Sequence, residues 1–358
     1  MRLLLMVGLA AVCRAEQSPA EKLIEAGHWK RARIAVEAPR DAASNFLLSQ
    51  IHAAFGDRTT PLELAEKAVA LDGNTAKYHR QVAEVLGITA QHAGTIQQLF
   101  LARRFRREID AALSLDPRDV QSLRDLIEFY LLAPGIAGGD PHKAAEIAVR
   151  IAGIDAVEGL LARARIAGFQ KQTAARESAL RQAADTQPPR YKAHIALAQF
   201  YRESGHSNAS AAEAQAKAAM NLDPGRVDAY ALLAAIYADS GAWSELDATL
   251  AAALREVPDD LAPHYRAAER LLAGGRDTAR AERYLRVYLT QEPEGNQPSA
   301  SEARWKLGLV LESKGNTAAA LAEFRESVRL DPESKAAQEI KRMRAARPAG
   351  ESNSARSM

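Results

Sequence analysis

A glycine-rich stretch is the first segment whose composition could do chemistry. Residues 129–148, FYLLAPGIAGGDPHKAAEIA, place three glycines and two prolines between segments of helical pattern. A nucleotide-binding loop follows a strand and has Lys and then Ser or Thr after its last glycine. Here Asp140 and Pro141 follow Gly139 instead, and they suit the N-cap and first turn of a helix. Because an acidic N-cap also occupies the position where an anion would bind, we predict an enlarged turn and not a phosphate site.

The segment LARRFRREID, residues 101–110, is the second candidate for binding chemistry. Helical spacing places its apolar residues on one side, which we expect to be buried: Phe100, Leu101, Phe105 and Ile109. The remaining surface carries four arginines: Arg103, Arg104, Arg106 and Arg107. Such a surface can contact anionic lipid headgroups or nucleic acid, although it is more often a solvated helix face. Membrane contact through these arginines and ordinary solvation both stay open.

Residue types used in catalysis and metal binding are scattered along the chain. The eight histidines form no HxxxH or HExxH pair, and no GxSxG motif occurs. Cys13 is the only cysteine. The sequence therefore predicts no catalytic residue, no metal site and no cofactor. A hydrolase whose side chains meet only in the folded chain is the remaining enzymatic alternative.

The elements around these segments repeat along the chain. Pro224, Pro258 and Pro293 are 34 and 35 residues apart, and Pro332 follows after 39. Four glycines occur in step with them: Gly205, Gly241, Gly275 and Gly315. A fixed period of this size indicates a stacked array of helix pairs. No alternating strand pattern of useful length accompanies it.

The clearest copy of the repeat is residues 227–258, VDAYALLAAIYADSGAWSELDATLAAALREVP. Spacings of three and four give its first helix the apolar face Tyr230, Leu233, Ala234 and Tyr237. Its second helix has the matching face Trp243, Leu246, Leu250 and Ala253. Gly241 suits the left-handed backbone that ends the first helix.

In these residues the chain resembles the tetratricopeptide repeat family, in which large apolar residues surround a small one, a glycine turns the chain and a proline ends the repeat. Residues 301–332 carry the same pattern with Leu307, Gly308, Leu311, Gly315, Ala320, Phe324 and Pro332. Residues 42–73, 191–224 and 262–293 match as well, residues 155–190 match less well, and a half repeat with Gly27, Trp29 and Ala32 precedes them. The resemblance implies an all-α fold, an α-solenoid of about seven stacked antiparallel helix hairpins.

The resemblance also implies which side chains face a partner, since the first helices of such hairpins line a concave surface. At the positions that usually face it this chain has Lys192, Gln199, Arg202, Asp228, Arg266, Arg270, Glu302, Trp305 and Glu312. We predict that the partner-binding groove includes Lys192, Gln199, Arg202, Arg266, Arg270 and Trp305. For any one of them an ordinary solvated side chain is the alternative. The lysine and asparagine pair that clamps acidic chaperone tails is absent, so we do not expect that mode of binding.

The N-terminal sequence MRLLLMVGLAAVCRAEQ has the layout of a secretory signal peptide, with Arg2, an apolar run and small residues before a cut after Ala15. We predict a signal peptide in residues 1–15, the solenoid in residues 16–345 and a disordered polar tail in residues 346–358. Export would place the protein in the periplasm, and the chain resembles exported bacterial proteins of the family. A lipoprotein modified at Cys13 and a buried N-terminal helix are the alternatives.

The expected function is a non-catalytic protein–protein interaction scaffold of the bacterial cell envelope, which holds a peptide or helix in a concave groove. The balance of 47 basic and 45 acidic residues does not require nucleic acid, and export argues against it, so we expect no nucleic-acid partner. The alternative is a membrane-associated or small-molecule-binding envelope component that uses the arginine-rich helix. We expect an open spiral in which contacts between neighbouring hairpins are the only source of stability.

Overall fold

The structure, a computed structural model, describes residues 17–36, 38–204 and 208–345. Within these ranges it contains nineteen α-helices, one short 3₁₀ helix and no strand, which confirms the predicted all-α solenoid. The helices are α1 (Pro19–Ala26), α2 (Trp29–Ala35), α3 (Ala42–Ala54), α4 (Thr60–Leu71), α5 (Ala76–Ala90), α6 (Thr95–Leu115), α7 (Val120–Leu132), α8 (Pro141–Ala152), α9 (Ala156–Phe169), α10 (Thr173–Ala184), α11 (Tyr191–Glu203), α12 (Ala209–Leu222), α13 (Val227–Ser240), α14 (Trp243–Glu256), α15 (Ala262–Ala273), α16 (Thr278–Tyr288), α17 (Ala300–Ser313), α18 (Thr317–Leu330) and α19 (Ala336–Ala345).

Consecutive helices of the described residues pair into nine hairpins, from α1–α2 to α17–α18, and α19 packs on α18. The prediction of about seven hairpins was therefore too low. The segment predicted as a half repeat forms the complete hairpin α1–α2, and the less well matched residues 155–190 contain the hairpin α9–α10. We call the odd-numbered helices from α1 to α17 the first helices and their partners the second helices.

The glycine-rich stretch connects α7 to α8 and turns the chain. Asp140 is the N-cap of α8, and its side chain accepts a hydrogen bond from the backbone N–H of His142 at 3.0 Å. A β-carbon on Gly139 would lie 1.8 Å from the carbonyl oxygen of Ala133, so only glycine lets the chain approach itself this closely. The glycine thus serves a close backbone contact, and the carboxylate of the cap stands where a phosphate would bind.

Small residues at helix crossings let the hairpins pack closely. Gly308 on α17 faces the ring of Phe324 on α18, and that ring is completely buried. Gly159 on α9 lies against α8 in the same way. One apolar cluster extends from α9 to α19, and Tyr265 and Tyr288 are among its largest fully buried side chains. The repeat pattern therefore produces one continuous core along the C-terminal half.

The solenoid also contacts itself between hairpins that are far apart in sequence. Trp29, at the start of α2, lies so close to Gly295 that a β-carbon there would be 2.7 Å from Cγ of the indole. The backbone N–H of Asn296 donates a hydrogen bond to the carbonyl of Ala54, at the end of α3, at 2.7 Å. Gly295 and Asn296 belong to the connection between α16 and α17. The expectation of an open spiral held only by neighbouring hairpins is therefore wrong.

Basic residues of the first hairpin supply the polar part of this contact. The ammonium of Lys30 donates to the carbonyls of Asp259 at 2.5 Å and Glu292 at 2.9 Å. The backbone N–H of Lys30 donates to the carboxylate of Glu294 at 2.6 Å. Arg33 pairs with the Glu292 carboxylate at 2.5 Å. We call the meeting of residues 28–33 and 54 with residues 259–260 and 291–296 the closure contact.

Three sequence predictions concern residues outside the described ranges. They are the signal peptide of residues 1–15 with Cys13, the polar tail of residues 346–358, and the turn that contains Gly205. In the part of the chain that the structure describes, no helix combines the length and the apolar character that crossing a bilayer requires.

Candidate interaction groove

Ion pairs link neighbouring first helices along the solenoid. Arg165 on α9 donates two hydrogen bonds to the carboxylate of Glu128 on α7, each 2.7 Å long. Arg270 on α15 donates to both carboxylate oxygens of Asp239 on α13, at 2.8 and 3.0 Å. Each pair joins two successive hairpins, so these contacts hold the first helices in register. Arg270 is thus already paired within the chain.

Lys192 lies at the start of α11 and pairs with Glu158 of α9, whose side chain is almost fully buried. Arg124 of α7 approaches the same carboxylate group at 3.7 Å. Burial, together with the positive charge of Arg124, lowers the pKa of Lys192. The Lys192 side chain nevertheless keeps 47% of its surface exposed, so a partner can still contact it.

The other predicted groove residues differ in how many partners they already have. Gln199 is exposed on α11. Arg202, almost one turn further along, is half-buried, and its Nε has no hydrogen-bond partner among the described residues. Arg266 pairs with Glu269 at 3.2 Å. Of this set, Gln199 and Arg202 therefore have the most unused hydrogen-bonding capacity.

Trp305 on α17 is half-buried. The ammonium groups of Lys306 and Lys335 lie 5.3 and 5.0 Å from its ring centroid, within the range of a cation–π contact. Its indole Nε1 is buried and finds no acceptor within residues 17–36, 38–204 and 208–345. The chain therefore covers much of the ring and leaves the N–H without an acceptor.

The three remaining groove positions are Asp228, Glu302 and Glu312. Asp228 is exposed. Glu302 accepts a hydrogen bond from the hydroxyl of Tyr265 at 2.8 Å, and Glu312 pairs with Arg342 of α19 at 2.5 Å. Two of the three are thus occupied by contacts within the solenoid.

A cleft between α5 and α7 was not predicted from the sequence. These two first helices pack less closely on each other than α3 on α5 or α7 on α9, and a cavity of about 440 Å³ opens between them beside α6. Its walls include Leu101, Phe105 and Phe129. Ile88 and Leu132 also line it and are 41% and 65% exposed. In the sequence, only these two apolar residues, which lie outside the buried faces of α5 and α7, could have indicated the cleft.

The charged side chains of the described residues that line this cleft are all acidic: Glu84, Asp125 and Glu128. Glu128 is neutralised by Arg165, whereas Arg80 approaches Glu84 only to 3.9 Å. Burial and the carboxylate of Glu84 raise the pKa of Asp125 to about 7. Burial of part of its side chain raises the pKa of Glu84 as well, although 47% of that side chain is exposed. The cleft therefore contains two carboxylates, those of Glu84 and Asp125, that no cation of the described residues contacts within hydrogen-bonding distance.

The four arginines of α6 divide into two pairs. Arg104 and Arg106 form ion pairs with acidic residues of α4 and α6. Arg103 and Arg107 are exposed, and they form no ion pair with any residue that the structure describes. The cationic surface predicted from the sequence is thus reduced to Arg103 and Arg107.

The prediction that Phe100 is buried was wrong, because 63% of its side chain is exposed. Helix α6 has 21 residues, whereas α5 and α7 have 15 and 13, and the first two turns of α6 leave Ile96 and Phe100 uncovered. Ile109 is fully buried as predicted, and Leu101 and Phe105 are half-buried in the cleft.

Among the described residues, no group of three or more His, Cys, Asp or Glu side chains is placed to hold a metal ion. His264 on α15 is buried, and burial lowers its pKa to about 4, so the ring is neutral near pH 7. Its Nδ1 has no hydrogen-bond partner in the described chain. A single buried neutral imidazole is more typical of packing than of acid–base chemistry.

The comparison with known protein families finds a match in the last complete hairpin. Residues 301–334, which include all but the first residue of α17 and all of α18, match the tetratricopeptide repeat family. Within this hairpin the chain is similar to a tetratricopeptide repeat. This repeat includes Gly308 and Phe324, the small and aromatic residues on which the resemblance was based. No curated protein matches the chain in sequence.

Solved structures with a similar fold include yeast Tom70, at 16% identity and a TM-score of 0.54 over 92% of this chain. This chain spans 63% of the length of that structure. A human IFIT1 dimer with m7Gppp-AAAA has 14% identity and a TM-score of 0.47, covering 92% of this chain and 86% of its own. A tetratricopeptide repeat protein from Parabacteroides merdae has 12% identity and a TM-score of 0.41, covering 84% and 98%.

The tetratricopeptide repeat fold is typically a non-catalytic scaffold, and proteins built from these repeats commonly bind protein partners. The repeat and the solenoid together support a protein-interaction scaffold. The identity of the partner depends on the side chains of the groove and not on the fold.

Proposed function

We propose that the protein is a non-catalytic interaction scaffold of the bacterial cell envelope that holds a peptide or helix in the groove lined by its first helices. The supporting observation is a set of buried donors without acceptors on this wall, Nε of Arg202 and Nε1 of Trp305. A buried donor without an acceptor costs free energy, which the backbone carbonyls of a bound segment can offset. Exposed Gln199 lies on the same helix as Arg202 and can contact such a segment.

Site-specific photo-crosslinking tests this proposal. A crosslinking residue at position 199 should capture a protein from the envelope fraction, whereas one at Lys67, exposed on the second helix α4, should not. We expect Arg202→Glu to lower the yield at position 199 about tenfold, because it replaces a hydrogen-bond donor with a carboxylate, which only accepts and repels the carbonyl oxygens of the bound segment. Equal capture at both positions, or a yield unaffected by the substitution, would contradict the assigned groove.

Export is the second part of the proposal, and it rests on the signal-peptide layout of residues 1–15. Mass spectrometry of the protein from its native host should find a mature N-terminus after Ala15. A lipid mass on Cys13 would assign a lipoprotein instead, and a chain that retains Met1 would end the export proposal.

One observation favours the alternative function, contact with an anionic membrane surface. Ile96, Phe100, Arg103 and Arg107 follow one another at intervals of four, three and four residues, so they form a single stripe on α6. Ile96 and Phe100 are 77% and 63% exposed. Two exposed apolar side chains beside two cations that form no ion pair with the described residues match the composition of an interfacial helix face.

Co-sedimentation with vesicles that contain anionic lipid compares how much each pair of arginines contributes to membrane binding. We expect Arg103→Ala/Arg107→Ala to weaken binding about tenfold or more at low salt, because each cation near the surface contributes about 1 kcal/mol. Arg104→Ala/Arg106→Ala is the matched control with the same change of charge. It should weaken binding less, since those arginines are already paired. Equal losses, or no binding by the unmodified protein, would remove the membrane alternative.

A further inference from the structure

The cleft between α5 and α7 has the size and lining of a binding site. Its volume of about 440 Å³ falls within the range of pockets that hold a ligand or a few side chains. Leu101 and Phe105 of α6 and Phe129 of α7 form its apolar walls. Phe105 and Phe129 stack with ring centroids 5.7 Å apart and an interplanar angle of 6°, so the two rings form one continuous aromatic surface.

The charge of the cleft defines what can enter it. Glu84, Asp125 and Glu128 are its charged residues within the described chain. Glu128 has Arg165 as a close partner, whereas Arg80 approaches Glu84 only to 3.9 Å. Oδ2 of Asp125 is buried without a hydrogen-bond partner in that part of the chain, and its Oδ1 accepts only a 3.3 Å hydrogen bond from Gln121. A cation placed between Glu84 and Asp125 would supply the missing donors.

The rim of the cleft favours a polypeptide over a small amine. Ile88 and Leu132 line the cavity and yet are 41% and 65% exposed, so apolar surface continues beyond the enclosed volume. A small ligand that fills the cavity would leave this rim in water. A segment of a protein can place one side chain inside and cover the rim with its neighbours.

We propose that this cleft binds a segment of a partner protein that places a lysine or arginine side chain between Glu84 and Asp125 and apolar side chains against Ile88, Leu132 and the aromatic wall. The proposal rests on the interaction function proposed above and assigns one subsite of it. The two carboxylates and the apolar walls together favour a basic residue that is flanked by apolar residues.

Binding of such a segment should depend on pH, because the cation binds the ionised carboxylates. The pKa of Asp125 is about 7 in the free protein, so its charge changes near neutral pH. The other charged groups that face it are Glu84 and Arg80 of α5 and Arg124 and Asp119 of α7. Raising the pH from 6 to 8 ionises Asp125 and should strengthen binding of a cation about fivefold.

Fluorescence anisotropy with labelled peptides on the full chain tests the subsite. The probes are GLLKLLG, GLLQLLG and GLLELLG, which differ only in the central residue. At pH 8 we expect the lysine peptide to bind about tenfold more tightly than the glutamine peptide, and the glutamate peptide to bind most weakly. Glu84→Gln/Asp125→Asn should abolish the preference for lysine. Glu146→Gln, an exposed acid on α8, is the matched control and should preserve it.

Several results would overturn the subsite. They are equal affinity for the three peptides, a lysine preference that survives Glu84→Gln/Asp125→Asn, or complete displacement of the lysine peptide by hexylamine at the concentration of the peptide itself. The last result would assign the cleft to small amines. Unchanged circular dichroism excludes misfolding of the variants, which replace each carboxylate with an amide of the same shape. If crosslinking at position 199 persists but the peptides show no preference for lysine, the scaffold proposal is retained and only the proposed subsite is rejected.

Discussion

Gly308→Ala is expected to lower the free energy of unfolding by about 1–2 kcal/mol. A β-carbon at this position would lie 2.4 Å from Cε1 of Phe324, and that ring is completely buried between α17 and α18. Overpacking of a dense core typically costs about 1–3 kcal/mol, which exceeds the gain of about 1 kcal/mol in helix propensity. Chemical denaturation with the unmodified protein as reference measures the effect.

Two further variants make this prediction specific. Gly87→Ala, also within a helix, would place its β-carbon at an ordinary 3.5 Å from the ring of Phe105, so it should be neutral or stabilising. Phe324→Leu removes Cε1 and Cζ, two of the three ring atoms that the new β-carbon would contact. The double variant should therefore be more stable than the sum of the single changes by about 1 kcal/mol. Strict additivity, or equal effects of the two glycine substitutions, would show that α17 and α18 do not cross at Gly308.

Gly295→Val is expected to separate the first hairpin from the end of the solenoid. Its β-carbon would lie 2.7 Å from Cγ of Trp29 and 3.0 Å from Cβ of Ala54, so the two sides of the closure contact have to move apart. Separation of the two sides breaks the hydrogen bond between Asn296 and Ala54 and the ion pair between Arg33 and Glu292. We expect amide exchange in residues 19–35 to accelerate about tenfold or more, with an increase in the radius of gyration.

Gly135→Val is the matched control for this experiment, because a β-carbon at Gly135 would meet no atom within 4 Å. Its exchange in residues 19–35 should equal that of the unmodified protein. In 1 M salt the unmodified protein should also exchange faster in this segment, since screening weakens the half-exposed Arg33–Glu292 pair. Unchanged exchange in Gly295→Val would mean that the first hairpin is held by its sequence neighbours alone.

The closure contact matters for the proposed function because it limits the groove. Because the first hairpin contacts the connections before α15 and α17, these parts of the solenoid cannot move apart without breaking the contact. We expect a long partner segment to bind more slowly while the contact is formed. Gly295→Val therefore offers a test of entry, since an opened solenoid should raise the rate of crosslinking at position 199.

The amino-acid sequence by itself determined the repeating hairpins and their closely packed crossings. The period of the prolines and glycines, the cap at Asp140 and the small residue Gly308 act over three to four residues or within one hairpin. Signals of this kind depend on local sterics and hydrogen bonding, which residue types report directly. The same local signals showed that the glycine-rich stretch is a turn.

Only the tertiary structure decided how the ends of the solenoid meet, where the cleft opens and which arginines stay unpaired. The closure contact joins Lys30 to Glu292 across more than 200 residues, so it depends on small rotations summed over many hairpins. The cleft arises because α5 and α7 pack less closely than the other first helices do. The freedom of Arg103 and Arg107 depends on which acids lie nearby in space. The closure contact, the cleft and the pairing of the arginines all depend on distances between elements that are remote in sequence, and a repeat pattern does not predict these distances.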